Sequence, residues 1–146
     1  MNSRRTSLQV VFGILCLFCG IAIYLLFRSD AIRLYQWFTA MGVGEPLDVV
    51  RGETLQWAVP EFIKYSLPDG LYCTSYILLM DAVWRNARRQ LRMVASSVIP
   101  LVAVVHELLQ GAGVARGTFD WRDLLCYALP LAAYLLKKTI GDSEVQ

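Results

Sequence analysis

The sequence predicts an all-α, polytopic membrane protein, a small four-helix transmembrane bundle with an interfacial helix in its long extracytoplasmic loop. Hydrophobic residues make up 56% of the 146 residues and charged residues only 18%, whereas charged residues are about 25% of soluble domains. Four segments are long and apolar enough to be considered as spans, and basic residues cluster beside them. We expect the whole chain, residues 1–146, to form one integral membrane domain.

The four predicted spans differ in length and polarity. Residues 8–27 are the clearest span, because they carry no charge and because about 20 apolar residues cross a hydrocarbon core of about 30 Å. The other three spans, residues 67–84, 93–110 and 121–136, are shorter and carry ionisable groups near their ends. Shorter spans are accommodated when the bilayer thins locally or when flanking side chains snorkel to the interface.

The basic residues predict the orientation, since Lys and Arg accumulate on the cytoplasmic side of a membrane. Four spans place three basic clusters on one side, and these hold eight of the fourteen Lys and Arg: Arg4, Arg5, Arg85, Arg88, Arg89, Arg92, Lys137 and Lys138. We therefore expect a multi-pass protein of the cytoplasmic (inner) membrane with both termini in the cytoplasm. The net charge of +2, without a basic run beside exposed aromatic residues, argues against nucleic-acid binding.

The extracytoplasmic loop, residues 28–65, is not expected to be a plain linker. Residues 31–41 predict a short interfacial helix, capped by Ser29 or Asp30, because Ile, Tyr, Phe and Met recur there at helical spacing. The next segment, residues 42–53, is rich in turn-forming residues. The segment after it is amphipathic and aromatic, and we expect it to lie along the outer surface.

Two carboxylates of the second span have structural explanations. Ser66 precedes Asp69 by three residues, which is the spacing of a helix N-cap with an acidic residue in the first turn. A cap is therefore expected at this position, and a binding role for Asp69 at the outer surface is compatible with it. Asp81 stands four residues before Arg85, and this spacing predicts an ion pair on one helix face.

The third span ends in His106, Glu107 and Gln110, which share one broad helix face. The string HELLQ resembles the HExxH zinc motif, but the second histidine position holds Gln110 and His106 is the only histidine in the chain. We therefore expect no zinc site. Polar groups that snorkel at an interface are one explanation of this cluster, and a functional site is the other. We favour the site, because further carboxylates reach the same side.

Those carboxylates open the fourth span, where Asp120 and Asp123 have the spacing of an N-cap followed by an acid in the first turn. Together with Asp69 and Glu107 they lie on the outer side in the predicted topology. We predict one outward-facing polar pocket in which Glu107 and Asp123 are the candidate catalytic residues. The candidate binding residues are Asp69, His106, Gln110, Arg116, Asp120 and Arg122.

Part of this pattern resembles a known family. Residues 107–110, E-L-L-Q, are followed by five residues, Arg116 and then Asp123, which is similar to the E-x-x-Q…R…D signature of VanZ-like membrane proteins. The resemblance covers about residues 66–136. It implies a small helical-bundle protein of the cell envelope, associated in the family's namesake with tolerance of glycopeptide antibiotics.

The chain departs from the family's pattern at two positions. Tyr127 and Pro130 stand where VanZ-like proteins typically have an asparagine and a glycine. The family's biochemical activity is not settled, so the resemblance implies an architecture more than a mechanism.

Two functions are consistent with these residues. In the first, the pocket binds or acts on a lipid-linked or cell-wall component, with Glu107 as general base or cation-binding carboxylate and Arg116 on a phosphate or carboxylate. Several carboxylates facing a phosphate are compatible with a shared divalent cation, Mg²⁺ or Ca²⁺. In the second, the chain is a non-catalytic accessory subunit that binds another membrane protein through its aromatic loop and the small residues 95–97. The sequence leaves open whether the protein is an enzyme.

Overall fold

The computed structural model describes residues 2–28 and 33–143, and this part of the chain contains six α-helices and no strand. The helices are α1 (Asn2–Phe27), α2 (Arg33–Ala40), α3 (Gly44–Thr54), α4 (Glu61–Val83), α5 (Arg89–Gly111) and α6 (Trp121–Ser143). The all-α class is therefore confirmed. The short helix predicted at residues 31–41 corresponds to α2, whereas its predicted caps, Ser29 and Asp30, lie outside the described residues.

Helix α4 is the centre of the fold, because it packs against α1, α5 and α6. The residues of α4 that contact α1 follow one another in the opposite order along α1. Gln9, near the start of α1, donates a hydrogen bond of 2.9 Å to the carbonyl oxygen of Leu78, while the ring of Tyr24 near the end of α1 meets that of Tyr72. Helices α1 and α4 are therefore antiparallel.

The last two long helices complete a four-helix arrangement around α4. A short turn at residues 84–88 returns the chain as α5, and α6 then runs parallel to α4. Tyr127 donates a hydrogen bond of 3.1 Å to Asp69, and Tyr134, two turns later, donates one of 2.8 Å to Asp81. Helices α5 and α6 also contact each other, so α4, α5 and α6 form a compact group with α1 on the outside of α4.

This arrangement brings the three basic clusters to one end of the bundle, which we call the basic end. Arg85 bonds the hydroxyl of Thr6, and Arg89 donates a hydrogen bond of 2.8 Å to the carbonyl oxygen of Lys138. The opposite end, which we call the acidic end, holds Asp69, Glu107, Asp120 and Asp123, as well as helices α2 and α3. The grouping that a four-span topology requires is thus present in the fold.

Two of the described helices are long and apolar enough to cross a membrane: Arg4–Phe27 of α1 and Arg89–Gly111 of α5. Both helices expose large apolar side chains, as at Leu8, which is 67% exposed, and at Val94, which is 64% exposed. Helices α4 and α6 have 23 residues each, as α5 has, but neither contains a comparably apolar stretch of spanning length.

The cap predicted at Ser66 and Asp69 is wrong, because α4 begins earlier, at Glu61. Pro60 precedes it with φ −55° and ψ 142°, an extended conformation from which the helix starts. The five residues that follow Glu61 contain no helix breaker, so the predicted surface segment becomes the first turns of α4. Pro68 lies inside the helix and is fully buried, where neighbouring helices can absorb the lost backbone hydrogen bond.

The segment predicted as turns, residues 42–53, is mostly helical and forms α3. The turn is confined to Gly42, whose φ of +82° is a backbone conformation that favours glycine. Glu45 and Pro46 then lie in the first turn of α3, where a carboxylate complements the helix dipole and the fixed φ of proline suits a helix. The turn-forming residues of this segment therefore gave a wrong prediction, because most of them lie within α3.

Arg51 explains why α3 is stable at this place. Its guanidinium is buried and donates hydrogen bonds to the carbonyl oxygens of Leu25 and Arg28, the latter at 2.8 Å, at the end of α1. It also lies 4.8 Å from the centre of the Tyr35 ring. A cation at the carbonyl end of a helix satisfies unpaired oxygens and complements the helix dipole, so Arg51 joins α1, α2 and α3.

The small residues 95–97, predicted as a docking surface for another protein, lie against α4 of the same chain. Ser96 is fully buried, and Tyr76 of α4 donates a hydrogen bond of 2.8 Å to the carbonyl oxygen of Ala95. Ser96 is therefore not available for docking, since small residues allow close helix packing within one chain as well as between chains.

Candidate functional site

A cavity of about 480 Å³ lies at the acidic end, between the last turns of α5 and the first turns of α6. It is lined by Val102, Ala103, His106, Glu107, Gln110, Thr118, Asp123 and Tyr127. Residues three and four apart share a helix face, so α5 contributes five of these side chains from a single stripe. The structure therefore brings together four of the eight residues predicted for the pocket: His106, Glu107, Gln110 and Asp123.

Glu107 joins the two helices that form the cavity. Its carboxylate is buried, with the residue only 5% exposed, and accepts a hydrogen bond of 2.7 Å from the backbone N–H of Asp120. The carboxylate of Asp120 in turn accepts a hydrogen bond of 2.8 Å from the N–H of Arg122. This is the N-cap predicted from the sequence, and Glu107 holds that cap against the end of α5.

Gln110 organises the loop between the helices, residues 112–120. Its side-chain nitrogen lies 3.2 Å from Nδ1 of His106 and donates to the carbonyl oxygen of Arg116 at 3.3 Å. Gly117 packs directly on this amide, since a Cβ atom there would lie 2.5 Å from the Gln110 nitrogen, and its φ is +132°. Both the space and the backbone conformation require glycine at this position.

Asp123 has the least satisfied carboxylate of the cavity. Its Oδ1 is buried and has no hydrogen-bond partner among the described residues. One turn later Tyr127 lines the cavity and donates its hydroxyl hydrogen to Asp69, which lies behind the cavity and close enough for its charge to interact with that of Asp123. A buried oxygen without a donor is unfavourable, so the cavity is suited to a ligand that supplies a donor or a cation.

The two arginines predicted for the pocket do not line it. Arg116 is exposed on the loop, where its backbone oxygen binds Gln110, and no ion pair between its side chain and Glu107 occurs in the described part of the chain. The guanidinium of Arg122 lies 5.6 Å from the centre of the Trp121 ring. Arg116 and Glu107 are not paired, because the loop carries Arg116 outward while the backbone N–H of Asp120 binds one oxygen of the Glu107 carboxylate.

The cavity offers carboxylate oxygens but no complete metal site. Within residues 2–28 and 33–143, no group of three or more His, Cys, Asp or Glu side chains is placed to hold a metal ion. Glu107 and Asp123 are oxygen ligands of the kind that Mg²⁺ and Ca²⁺ prefer. A divalent cation bound between them would need its remaining ligands from a bound molecule or from water.

A cluster of charged and polar side chains surrounds Asp81 at the basic end, and the sequence did not predict it. Asp81 is 5% exposed and accepts hydrogen bonds from Arg92 through two guanidinium nitrogens, one of them at 2.6 Å. Lys138 lies 2.8 Å from the same carboxylate. Gln9 and Tyr134 complete the set with hydrogen bonds of 3.0 and 2.8 Å.

The predicted ion pair between Asp81 and Arg85 is therefore wrong. Spacing along one helix identifies neighbours on a solvent-facing surface, whereas Asp81 faces the interior because α4 is surrounded by α1, α5 and α6. Arg85 bonds Thr6 instead. The predicted topology could have indicated the true partners of Asp81, since it placed Asp81 on the same side as Arg92 and Lys138.

No protein-family model, curated protein or solved structure matches the chain, so the candidate site is defined by the geometry of its own residues.

Proposed function

We propose that the chain is a VanZ-like integral membrane protein that crosses the cytoplasmic membrane with α1, α4, α5 and α6 and has both termini in the cytoplasm. The apolar exposed surfaces of α1 and α5 support membrane insertion, because monomeric soluble proteins rarely expose large contiguous apolar patches. The collection of eight basic residues at one end supports the orientation. A helix of 23 residues is roughly 34 Å long at 1.5 Å per residue, sufficient for a bilayer core of about 30 Å.

The polar residues of α4 are compatible with a membrane span. Ser66, Ser75 and Asp81 are 1%, 2% and 5% exposed, so they face the other helices and would not meet lipid. Polar and ionisable residues of membrane helices usually face the interior of a bundle and pair with one another. The buried polar side chains of α4 are therefore consistent with its central position in the bundle.

The function that the geometry supports best is binding of the polar headgroup of a lipid-linked or cell-wall component at the acidic end. The buried, unpartnered Oδ1 of Asp123 in the wall of the cavity carries this proposal. The carboxylates of Asp123 and Glu107 favour hydroxyl or ammonium donors, such as those of a sugar or an amino group, and disfavour a bare phosphate. A phosphate would need a bridging divalent cation here.

The lining of the cavity also favours an amphiphilic ligand. Its lower part is formed by Val102 and Ala103, and Val102 is 58% exposed toward the outside of the bundle. Val98, one turn further from the acidic end, is 44% exposed. A hydrocarbon chain attached to a headgroup in the cavity therefore has an apolar track along α5.

The geometry assigns different roles to the two candidate catalytic carboxylates. One oxygen of Glu107 is occupied by the Asp120 N–H, so Glu107 is a positioning residue that holds the cap of α6. Asp123 is the residue we propose to contact the ligand. Binding needs no further group, whereas catalysis would require Asp123 or His106 to act as general base. The accessory-subunit alternative loses Ser96 as a docking residue, because Ser96 is buried within the chain, but it keeps the aromatic loop, where Trp37 and Trp57 are exposed.

Binding of defined probes to the purified full chain in neutral detergent tests this proposal. The two probes are a polyprenyl-diphosphate-linked disaccharide peptide and the matching polyprenyl diphosphate, which lacks the disaccharide and its peptide. We expect the first probe to bind more tightly, and Asp123→Asn to weaken it by about tenfold or more, since hydrogen bonds to charged groups contribute about 1.5–3 kcal/mol.

Glu53→Gln is the matched control, because Glu53 is an exposed carboxylate on α3 at the same end. This variant should bind both probes as the wild type does. Equal binding of the two probes, or unchanged binding by Asp123→Asn, would contradict the proposed headgroup site.

A further inference from the structure

A second and larger cavity, of about 900 Å³, lies at the basic end between α1, α4 and α6. Arg5, Arg92, Lys137 and Lys138 line it together with one carboxylate, that of Asp81. The charged lining therefore has an excess of three positive charges. Nothing in the proposed function uses this cavity.

The four cations have different roles. Arg92 and Lys138 are bound to Asp81, with 23% and 21% of their side chains exposed, so they hold the helices together and present part of their surface to the cavity. Arg5 and Lys137 are exposed at its edge, and neither forms an ion pair with a carboxylate of the described residues. These two cations are available to an anion.

The remainder of the lining is largely apolar and continues onto the outside of the bundle. Leu8 and Phe12 of α1 are 67% and 57% exposed, and Leu129 of α6 is 63% exposed. The exposed residue Ala133 lies between Leu129 and Lys137 on one stripe of α6. The cavity thus has a cationic end near the start of α1 and an apolar groove that leads from it toward the middle of the bundle.

We infer that this cavity binds one anionic phospholipid, with its phosphate against Arg5 and Lys137 and an acyl chain along Leu8, Phe12 and Leu129. Guanidinium and ammonium groups bind phosphate oxygens by charge-assisted hydrogen bonds. Basic pockets between membrane helices on the cytoplasmic side are suited to acidic lipid headgroups. The volume is within the range of about 300–1,000 Å³ usual for ligand sites.

The charge and shape of the cavity favour this occupant over two others. A free phosphate would leave the apolar groove uncovered, and a zwitterionic lipid would place the positive charge of its headgroup beside four cations. The inference rests on the membrane placement in the proposed function but not on the pocket around Asp123. The two sites lie at opposite ends of the bundle. An experiment that contradicts the phospholipid site therefore leaves the headgroup site at Asp123 untouched, and the reverse also holds.

Thermal unfolding of the delipidated full chain in neutral detergent, followed by tryptophan fluorescence, tests the inference. Dioleoyl phosphatidylglycerol, dioleoyl phosphatidylcholine and inorganic phosphate are the probes. We expect phosphatidylglycerol alone to raise the unfolding midpoint. The double variant Arg5→Gln/Lys137→Gln should need about thirtyfold more of this lipid for the same shift, since each of the two basic residues contributes about 1 kcal/mol near an anionic lipid.

Two further variants separate a site from a general attraction to anionic lipid. Arg4→Gln/Arg88→Gln removes the same charge at the same end from residues outside the cavity lining, and it should respond to the lipid as the wild type does. Ala133→Trp fills the groove without changing any charge and should abolish the selective shift. An equal response to phosphatidylcholine or to phosphate, or equal losses in both double variants, would overturn the inference.

Discussion

The carboxylate of Glu107, one turn before the end of α5, accepts a hydrogen bond of 2.7 Å from the backbone N–H of Asp120, the residue that caps α6. The two residues are thirteen positions apart, and their contact closes the loop that borders the cavity at the acidic end. The N–H needs an acceptor but not a charge. Variants at position 107 can therefore show whether the Glu107 carboxylate stabilises the fold as a hydrogen-bond acceptor or through its charge.

We expect Glu107→Gln to fold with nearly the stability of the wild type, because the amide oxygen of glutamine can accept the same hydrogen bond. Glu107→Leu should lower the free energy of unfolding by about 1–3 kcal/mol, because it leaves the Asp120 N–H without an acceptor. Denaturant unfolding of the two variants in detergent measures the difference. Equal losses in both would show that the charge of Glu107 stabilises the fold.

Asp81 gives a prediction about the basic end. Asp81→Asn should lower the free energy of unfolding by roughly 2–4 kcal/mol, because it leaves Arg92 and Lys138 without their carboxylate while part of each cation remains in solvent. Arg85→Gln should stay within about 0.5 kcal/mol of the wild type, because Arg85 is exposed and bonds a hydroxyl. The same unfolding assay applies, and a larger loss for Arg85→Gln would restore the pair predicted from the sequence.

The sequence was sufficient where structure depends on neighbours along the chain. Asp120 was predicted as the cap of α6 because capping uses a side chain and the next turn of backbone. The chain leaves α5 through Gly113, which follows the C-cap Ala112 and has a φ of +72°, a local preference of the same kind. The grouping of basic residues at one end followed from the number of long helices, which the hydrophobic pattern indicates.

Contacts between distant residues were not predictable in the same way. Asp81 binds residues that are 11 to 72 positions away, and this depends on α4 being central, which periodicity does not reveal. Helix α3 depends on Arg51 reaching the end of α1, 26 positions away in sequence. The unpartnered oxygen of Asp123 was not predictable either, because it depends on the neighbouring helices placing no hydrogen-bond donor beside it.

Gly117 and Gly113 form a natural pair of test positions in the loop before α6. Both have a positive φ, +132° and +72°, but only Gly117 packs against the Gln110 amide. We expect Gly113→Ala to cost about 1 kcal/mol from backbone strain alone, and Gly117→Ala to cost more because Gln110 must also move. Binding of the disaccharide-peptide probe should fall for Gly117→Ala and remain for Gly113→Ala. The opposite ranking would exclude Gln110 as part of the site.

The membrane topology gives the last prediction. With four spans and a cytoplasmic start, reporter fusions after Trp57 and after Ala115 should show the extracytoplasmic phenotype, and a fusion after Asn86 the cytoplasmic one. Asn86 is decisive, because it lies in the turn after α4 at the basic end. If only α1 and α5 crossed the membrane, Asn86 would remain outside together with Trp57, and Ala115 would be inside. A reversed pattern at Trp57 would place the acidic end in the cytoplasm, where a ligand of the outer leaflet cannot reach Asp123. Alkaline phosphatase and green fluorescent protein, fused at each of the three positions, report the two sides independently, because each is active on only one of them.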